Sequence, residues 1–457
     1  MDTAIASRAA RPAAALTRRR ASSALTVSSF TLLTLANAVA IVWLWYHGGN
    51  VTKVHSPGEL LTSIARITGL LGAYGALLQV ILLARLRPLE RLVGYDRLTV
   101  WHRRNGFAVV WLIVAHVFFS IWGYADMDRL TIAKEIPTMI WGGHYPGMII
   151  ATIGTLLFVA VAASSVVIAR RRLDYRAWYA VHFTVYAAIA LGWFHQIPTG
   201  NELVLSTVAQ WYWKSLYLAT LATLLGYRLL PPLANAFRFR LRVAEVVEEG
   251  PGVVSLRLTG RRLDRLHAAG GQFFLWRFLT RHSWYEAHPF SLSALPTSTS
   301  LRITVKALGD FTGRIGRLRP GTRVIAEGPF GTFTAAARRR DKVLLIAGGI
   351  GVTPIRTLLD ELHGELVVVY RVLRENDAVL RAELEQTGAE VHVVAGDHAT
   401  DEGRHLLSPD HLRSLVPDVA EREVYLCGPP AMTAAIEHTV RALEIPRKFV
   451  HVERFVL

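Results

Sequence analysis

The chain has 457 residues, of which 52% are apolar and 19% charged, and its mean hydropathy is +0.30. These values exclude a disordered chain and are too apolar for an ordinary soluble enzyme. The formal net charge of +16 alone would suit a nucleic-acid partner, so the positions of the basic residues decide its meaning. The single cysteine, Cys427, excludes an intramolecular disulfide, a cysteine-ligated iron–sulfur cluster and a cysteine-rich zinc site.

Six apolar stretches of membrane-spanning length occupy the first half of the chain. They cover residues 24–46, 63–84, 105–124, 147–169, 178–196 and 207–230. The first follows Arg18, Arg19 and Arg20 but continues to Tyr46, which is too long for the apolar region of a secretory signal. The sequence therefore predicts a basic tail at residues 1–23 and a six-helix transmembrane bundle at residues 24–230.

The basic residues alternate between successive loops. The N-terminal tail and the loops after the second and fourth stretches are rich in arginine, whereas the other loops hold only Lys53, Arg129 and Lys134. By the positive-inside rule, both termini lie in the cytoplasm of a multi-pass protein of the plasma membrane. The positive charge is thus explained by topology, and we expect a lipid bilayer and no nucleic acid as partner.

The third stretch contains His116, with His102 three residues before its start, and the fifth contains His182 and His195. The spacings bring each pair close to one helix face, with the two levels about 20 Å apart. The two stretches run in the same direction, so His102 faces His182 near the cytoplasm and His116 faces His195 toward the outside. Facing imidazoles at two depths predict two stacked b-type haems.

Three further residues suit these haems. Gly106 and Gly192 lie close to the histidines, and their missing side chains would let a porphyrin approach the backbone. Arg66, near the outer end of the second stretch, is a candidate partner for a haem propionate, although snorkelling to the interface explains it equally well.

After Pro231 and Pro232 the pattern becomes that of a soluble α/β protein. Alternating segments at residues 237–247, 253–258, 272–278, 301–307 and 323–327 predict an antiparallel β-barrel domain at residues 235–337. Continuous apolar runs separated by helical patterns then predict parallel strands in a Rossmann-like α/β domain at residues 340–457.

Residues 343–354 are typical of a strand, a tight glycine turn and a helix. Gly348, Gly349 and Gly351 would let the backbone approach a dinucleotide pyrophosphate at the helix N-terminus. Arg371 and Arg374 follow the next strand, where the 2′-phosphate of NADPH would lie. These two arginines would also suit an ordinary solvated loop. The sequence therefore favours NADPH as the nucleotide but leaves NADH open.

The segment His288-Pro289-Phe290-Ser291-Leu292-Ser293 resembles the flavin-binding strand of the ferredoxin reductase superfamily. The motifs Gly309-Asp310-Phe311-Thr312, Gly348-Gly349-Ile350-Gly351-Val352-Thr353-Pro354 and Cys427-Gly428-Pro429-Pro430 follow at suitable distances. Together with the paired histidines, the chain from about residue 63 onward resembles the NADPH oxidase and ferric reductase family.

This resemblance implies bound FAD and NAD(P)H. It places Ser291 near the reactive nitrogen of the flavin and Thr353 and Cys427 beside the nicotinamide, and it gives the other motif residues, His288, Pro289, Phe290, Pro354, Gly428 and Pro429, to the cofactor sites. Thr312 begins a helical pattern in the sequence, so its amide could cradle the pyrophosphate of FAD. Family members often end in an aromatic residue that covers the flavin. Here either Phe455 takes that role or the last residue, Leu457, covers the ring less tightly.

The resemblance implies a transmembrane oxidoreductase that passes electrons from cytoplasmic NAD(P)H through FAD and two haems to a small-molecule acceptor outside. Ferric iron and dioxygen are both open as that acceptor. Asp126, Asp128 and His144 on an outer loop could attract iron, although acidic loops are usually just solvated. Ser120 stands where animal oxidases have a second outer histidine, which slightly favours a reductase. The alternative is a haem-free, membrane-anchored flavin reductase serving a protein or quinone. A transporter with a histidine proton relay would leave the flavin motifs without purpose.

Overall fold

The computed structural model describes residues 11–143, 145–166, 172–173, 175–199, 201–397, 400, 403 and 405–454. The chain divides into two compact units, Met1–Arg228 and Leu229–Leu457.

The first unit is helical. Its helices are α1 Arg11–Trp45, α2 Pro57–Leu82, α3 Arg87–Val93, α4 Tyr95–Met127, α5 Ile132–Trp141, α6 Met148–Ser165, α7 Tyr175–Phe183, α8 Val185–Thr199, α9 Asn201–Leu205 and α10 Thr207–Thr223. Within the described residues, six segments are long and apolar enough to cross a membrane: Ser28–Asn50, Pro57–Leu82, Arg97–Met127, Met148–Ser165, Ala177–Thr199 and Thr207–Phe239. The prediction of six spans is confirmed. Large side chains on these helices, such as Trp111 and Leu156, are exposed, as expected for residues that face lipid.

Helices α2 and α4 pack closely along a row of glycines. Gly69 lies against His116, Gly72 against Ile113, and Gly75 against Val109. A Cβ atom at any of the three glycines would come within 2.6 to 2.8 Å of the facing side chain. Small residues let helices approach each other in lipid, where no hydrophobic effect drives them together. This seam fixes the position of α4, which carries two of the four histidines.

The fifth span is interrupted, although its two histidines were predicted to share one helix face. Helix α7 ends at Phe183 and α8 begins at Val185, with Thr184 between them. The Thr184 hydroxyl donates a hydrogen bond of 2.7 Å to the carbonyl of Val181. Bonds of this kind bend helices, so the 13-residue spacing alone does not fix the relative direction of the two histidines.

The second unit begins with helix α11 Leu230–Phe239 and an antiparallel sheet. The strands of this sheet are β1 Arg242–Gly250, β2 Val253–Thr259, β3 Phe273–Phe278, β4 His288–Ala294, β5 Ser300–Lys306 and β6 Val324–Phe330, in the order β1-β2-β5-β4-β3-β6. The two edges of the sheet meet at a bridge between Arg242 and Arg323. Helix α12 Asp310–Ile315 lies between β5 and β6 in the sequence.

A parallel sheet completes the second unit and confirms the predicted α/β fold class. Its strands are β7 Lys342–Gly348, β8 Glu365–Val372, β9 Glu390–Ala395, β10 Glu423–Gly428 and β11 Val450–Arg454, in the order β11-β10-β7-β8-β9. The helices are α13 Val352–Leu359, α14 Arg381–Glu385, α15 Pro409–Leu415 and α16 Pro430–Ala442. The strand order reverses between β7 and β10, and ligands of such sheets bind in the crevice at the carboxyl ends of the strands there.

Candidate functional site

The structure brings the four predicted histidines together as two pairs. The rings of His102 and His182 face each other with 6.3 Å between their centroids. His116 and His195 lie within electrostatic range of each other. Metal–imidazole bonds are about 2 Å long, so the gap between His102 and His182 has room for one metal ion bound to both rings.

Each of the four imidazoles makes a hydrogen bond through Nδ1. His102 Nδ1 lies 3.2 Å from the carbonyl oxygen of Gln79, and His116 Nδ1 lies 2.8 Å from that of Ala65. The partners of the other two rings are hydroxyl oxygens, Ser165 Oγ at 3.3 Å from His182 and Thr199 Oγ1 at 3.4 Å from His195. A ring that donates through Nδ1 presents the lone pair of Nε2, which is the arrangement of a metal ligand oriented by a second group.

The residues predicted around the histidines have mixed outcomes. A Cβ atom at Gly192 would meet nothing within 4 Å, so this position is open as expected. The space beside Gly106 is instead filled by the amide of Gln79, 2.8 Å from the place of a Cβ. Gly106 therefore accommodates a neighbouring side chain. Arg66 donates a hydrogen bond of 2.9 Å to Asn50 Oδ1. Because the asparagine amide is neutral, this contact does not neutralise the charge of the guanidinium group.

The flavin motif forms strand β4, which pairs with β3 and β5. The Ser291 side chain is buried, and its hydroxyl has no hydrogen-bond partner within the described residues. His288 stacks on Phe311 with 3.6 Å between ring centroids, and its Nε2 lies 3.3 Å from Glu286 Oε2. Burial lowers the pKa of His288, although the hydrogen bond to Glu286 opposes that shift. A buried, unpaired hydroxyl fits a cofactor that would supply the missing partner.

Thr312 has a different place from the one predicted, because helix α12 begins at Asp310 and Thr312 is its third residue. The Thr312 hydroxyl accepts hydrogen bonds from the amides of Leu308 and Gly309 at 2.9 and 3.0 Å, so it caps the helix. The C-terminal candidates for covering the flavin, Phe455 and Leu457, lie outside the described residues.

The glycine turn and the cysteine motif meet at the carboxyl ends of β7 and β10. Cys427 pairs with Ala347 in the parallel ladder, and a Cβ at Gly351 would come within 2.3 Å of the Cys427 carbonyl oxygen. Gly349 has a positive φ of 51°, which favours glycine. A cleft beside this turn is lined by Val253, Lys306, Gly349, Ile350, Val372 and Asp377. The arrangement is suited to an extended dinucleotide.

The side chains predicted beside the nicotinamide are buried. Thr353 donates to the carbonyl of Ile350 at 3.0 Å, and burial raises the pKa of the Cys427 thiol well above its ordinary value. The sulfur is therefore a neutral thiol, and these two residues can shape the site through packing and backbone position. Arg371 donates to the carbonyl of Val394 at 3.2 Å, so part of its guanidinium is already engaged.

A network of charges that the sequence patterns did not predict joins the two sheets of the second unit. Arg302 on β5 makes two hydrogen bonds of 2.7 Å to Glu383 on α14. Arg302 also donates to the carbonyl of Ser293 on the flavin strand at 2.6 Å. Arg356 on α13, the helix after the glycine turn, donates to the same Glu383 at 3.1 Å. An ion pair between distant segments has no local sequence signal, so only the structure reveals it.

Family models match three parts of the chain. Residues 68–193 match the ferric reductase like transmembrane component, residues 238–334 match an FAD-binding domain, and residues 345–438 match the oxidoreductase NAD-binding domain. The resemblance inferred from the motifs is thereby confirmed.

Individual relatives cover different parts of the chain. The ferredoxin reductase component of the 3-ketosteroid-9-alpha-monooxygenase of Mycolicibacterium smegmatis is 33% identical over 47% of this chain and 65% of its own length. The ferric/cupric reductase transmembrane component 1 of Candida albicans is 25% identical over 65% of this chain and 37% of its own length. The FAD/NAD-binding domain of a nitric oxide dioxygenase from Vibrio cholerae covers 47% of this chain and 98% of its own, with 23% identity and a TM-score of 0.41.

The chain spans between 50% and 65% of the first curated relatives that it matches. Its FAD-binding and oxidoreductase NAD-binding domains follow a segment with six candidate membrane spans. The chain belongs to the family of proteins that join a ferric reductase like transmembrane component to an FAD-binding domain and an oxidoreductase NAD-binding domain.

Proposed function

We propose that the protein transfers electrons from cytoplasmic NAD(P)H through FAD and two b-type haems to a small acceptor on the other side of the plasma membrane. The observation that carries the proposal is the pairing of His102 with His182 and of His116 with His195, in a chain that also has FAD- and NAD-binding domains. Bound FAD supplies the conversion of a hydride into single electrons, and bound haem supplies one-electron transfer.

The residues of the chain orient these groups. The Nδ1 bonds of the four histidines leave each Nε2 available to hold a haem iron, and each level would need only two protein ligands if a porphyrin supplied the others. This agrees with the described residues, which contain no cluster of three or more His, Cys, Asp or Glu suited to a metal. Ser291 would offer its buried hydroxyl to the flavin, and His288, Pro289, Phe290 and Thr312 are the other residues that would hold the same cofactor.

The dinucleotide lies at the glycine turn in this proposal. Gly349 is the position where the pyrophosphate would approach the backbone, because a Cβ atom there meets nothing within 4 Å. Gly348, Gly351 and Gly428 are buried, and Met432, Cys427 and Gly348 occupy the places of their Cβ atoms, so these glycines let the turn pack closely. Pro429 and the buried Thr353, Pro354 and Cys427 would hold this turn in place. Arg371 lies near the carboxyl end of β8 and favours NADPH, while its hydrogen bond to the Val394 carbonyl leaves NADH as the alternative.

Ferric iron is the favoured acceptor. Ser120 occupies the position at which animal oxidases carry another outer histidine, and the relatives in Candida albicans bear the names of ferric or ferric/cupric reductases. Dioxygen, which would give superoxide, is the other acceptor of this kind of protein. The two are separated by measuring ferrous chelate formation and superoxide with the same purified sample.

A second function is favoured by the relatives of the cytoplasmic half, which include reductase components of monooxygenases. These suggest a haem-free, membrane-anchored flavin reductase that serves a protein or quinone partner. The deciding experiment is a reduced-minus-oxidised absorbance spectrum of the purified protein with NADPH as reductant, together with a haem count by pyridine extraction. Two b haems per chain, reduced by NADPH when FAD is present, support the electron path across the membrane. Absence of haem leaves the flavin reductase.

A further inference from the structure

The loop between the third and fourth candidate spans carries a carboxylate that the proposed electron path does not use. Glu135 lies on α5, and its side chain is fully buried. Neither of its carboxylate oxygens has a hydrogen-bond partner within the described residues. A buried ionisable group without a partner is costly, particularly next to a membrane, and such groups usually mark a functional site.

Two other residues with side-chain oxygen atoms lie within electrostatic range of Glu135. Asp128 follows the end of α4, is exposed, and lies within electrostatic range of Glu135. Its Oδ2 accepts a hydrogen bond of 3.2 Å from the hydroxyl of Tyr145, which itself interacts electrostatically with Glu135. Tyr145 also packs against Tyr124, with 4.6 Å between ring centroids. We call Asp128, Glu135 and Tyr145 the loop carboxylate site.

The electrostatics of this site favour a positive ligand. Burial and the neighbouring Asp128 raise the pKa of the Glu135 carboxyl, and burial beside Asp128 raises the pKa of the Tyr145 phenol. Both pKa shifts indicate that a further negative charge on Glu135 or Tyr145 is unfavourable beside Asp128 when no cation is bound. A bound metal ion reverses this relation because it stabilises the deprotonated forms. The basic residues of this segment, Arg129 and Lys134, are both exposed.

We propose that the loop carboxylate site binds a hard, oxygen-preferring cation, with Glu135 as the buried ligand and Asp128 and Tyr145 as ligands at the exposed side. Carboxylate and phenol oxygens suit such ions, and water at the exposed side completes the coordination. With only two carboxylates, the site suits an exchangeable ion. The proposal rests on the proposed function for the placement of this loop on the acceptor side. The cation is then either a trivalent acceptor or a divalent ion from the medium.

Terbium luminescence tests the site directly, because Tb³⁺ prefers oxygen ligands and its emission is sensitised by nearby tyrosine. The full-length protein in phosphatidylcholine nanodiscs is titrated with Tb³⁺ in the absence of NADPH, so the readout does not depend on electron transfer. We expect saturable emission, about tenfold or more weaker affinity in Glu135→Gln, and unchanged affinity in Glu248→Gln. Glu248 is the control because it is an exposed glutamate of the second unit, outside the loop carboxylate site, and undergoes the same chemical change.

Equal Tb³⁺ affinity in the wild type and in Glu135→Gln overturns the proposal. FAD content and the elution volume in size-exclusion chromatography show whether Glu135→Gln folds. If it does not fold, Asp128→Asn and Tyr145→Phe are titrated instead, and unchanged Tb³⁺ affinity in both variants overturns the proposal. Competition by Ga³⁺ below the concentration needed for Ca²⁺ supports a trivalent acceptor, and the reverse order supports a divalent ion. Haem reduction by NADPH, recorded separately, shows whether the proposed function fails independently of this site.

Discussion

Two serines on the flavin strand have opposite environments. Ser291 Oγ is buried without a hydrogen-bond partner in the described residues, whereas Ser293 Oγ accepts from Arg302 Nε at 3.1 Å and from Thr304 Oγ1 at 2.7 Å. We expect Ser291→Ala to keep the fold and to slow hydride transfer from NADPH to FAD about 2- to 10-fold, the value of one hydrogen bond of about 0.5 to 1.5 kcal/mol. Stopped-flow absorbance at the flavin band measures the rate.

The matched variant Ser293→Ala is expected to lower the free energy of unfolding by about 1 to 3 kcal/mol, because it leaves buried donors unpaired. Its effect should appear first in the temperature at which FAD is released. If Ser291→Ala is instead the less stable of the two and transfers hydride at the wild-type rate, the hydroxyl of Ser291 has no role toward the flavin.

Glu423 makes the stability of the nucleotide domain depend on acid pH. Its burial opposes ionisation, but hydrogen bonds from His451 at 2.6 Å and from the amides of Arg339 and Arg340 lower the pKa of its carboxyl overall. The stabilisation is complete above the ordinary carboxyl pKa near 4.5 and is lost as the pH falls through the lower folded value.

We therefore expect Glu423→Gln to be less stable than the wild type above pH 4.5 and to lose part of the acid dependence below it. Thermal release of FAD between pH 3 and pH 6, a range chosen around that value, measures both effects. The control is Glu421→Gln, since the Glu421 side chain is 67% exposed and pairs with Lys342 at the surface. Equal pH profiles in both variants would show that the buried carboxyl makes no special contribution.

At the scale of elements, the seam between α2 and α4 positions a histidine. A Cβ at Gly69 would come within 2.6 Å of His116 Nδ1. We expect Gly69→Ala to displace His116 and to reduce the haem content from two per chain to one, as measured by pyridine extraction. Gly226→Ala is the control, because a Cβ there meets nothing within 4 Å. Retention of both haems in Gly69→Ala would contradict the assignment of His116.

Helix α14 carries two glutamates that differ in their contacts and in their exposure. Glu383 binds both Arg302 and Arg356, whereas Glu385 is half exposed and binds only Arg381 on its own helix among the described pairs. We expect Glu383→Gln to cost about 1 to 3 kcal/mol of unfolding free energy and to slow hydride transfer, because the two sheets lose a shared anchor. Glu385→Gln should cost about 0 to 1 kcal/mol. Equal melting temperatures and rates would overturn this role.

The sequence predicted the elements whose signals are local. The six spans follow from hydropathy, and strand β4 and the glycine turn follow from short motifs with fixed geometry. The break at Thr184 could not be predicted because no glycine or proline, the usual sequence signals of a kink, stands at residues 181–187. The contact of Gly106 with Gln79 and the ion pairs of Glu383 join residues that are distant in sequence, and neither leaves a periodic pattern.

At the scale of the whole molecule, charge and hydropathy both separate a membrane unit, Met1–Arg228, from a second unit, Leu229–Leu457. The first unit has apolar side chains exposed over its surface, as lipid requires, whereas the second buries its apolar side chains on both faces of a parallel sheet. The arginine-rich loops alternate with loops that hold few basic residues, which places both termini on one side under the positive-inside rule. Nucleotide binding and acceptor reduction are then expected on opposite sides of the bilayer.

Sealed vesicles test this arrangement, because NADPH does not cross a bilayer. We expect NADPH to reduce the haems in inside-out vesicles, in which the termini face the medium, and to leave them oxidised in sealed right-side-out vesicles. Addition of detergent to the latter should restore reduction to the level of the former. A protease-accessible tag at the C-terminus fixes the orientation of each preparation independently. Reduction in sealed right-side-out vesicles, with the tag protected, would place the nucleotide site outside and reverse the direction of electron flow that we propose.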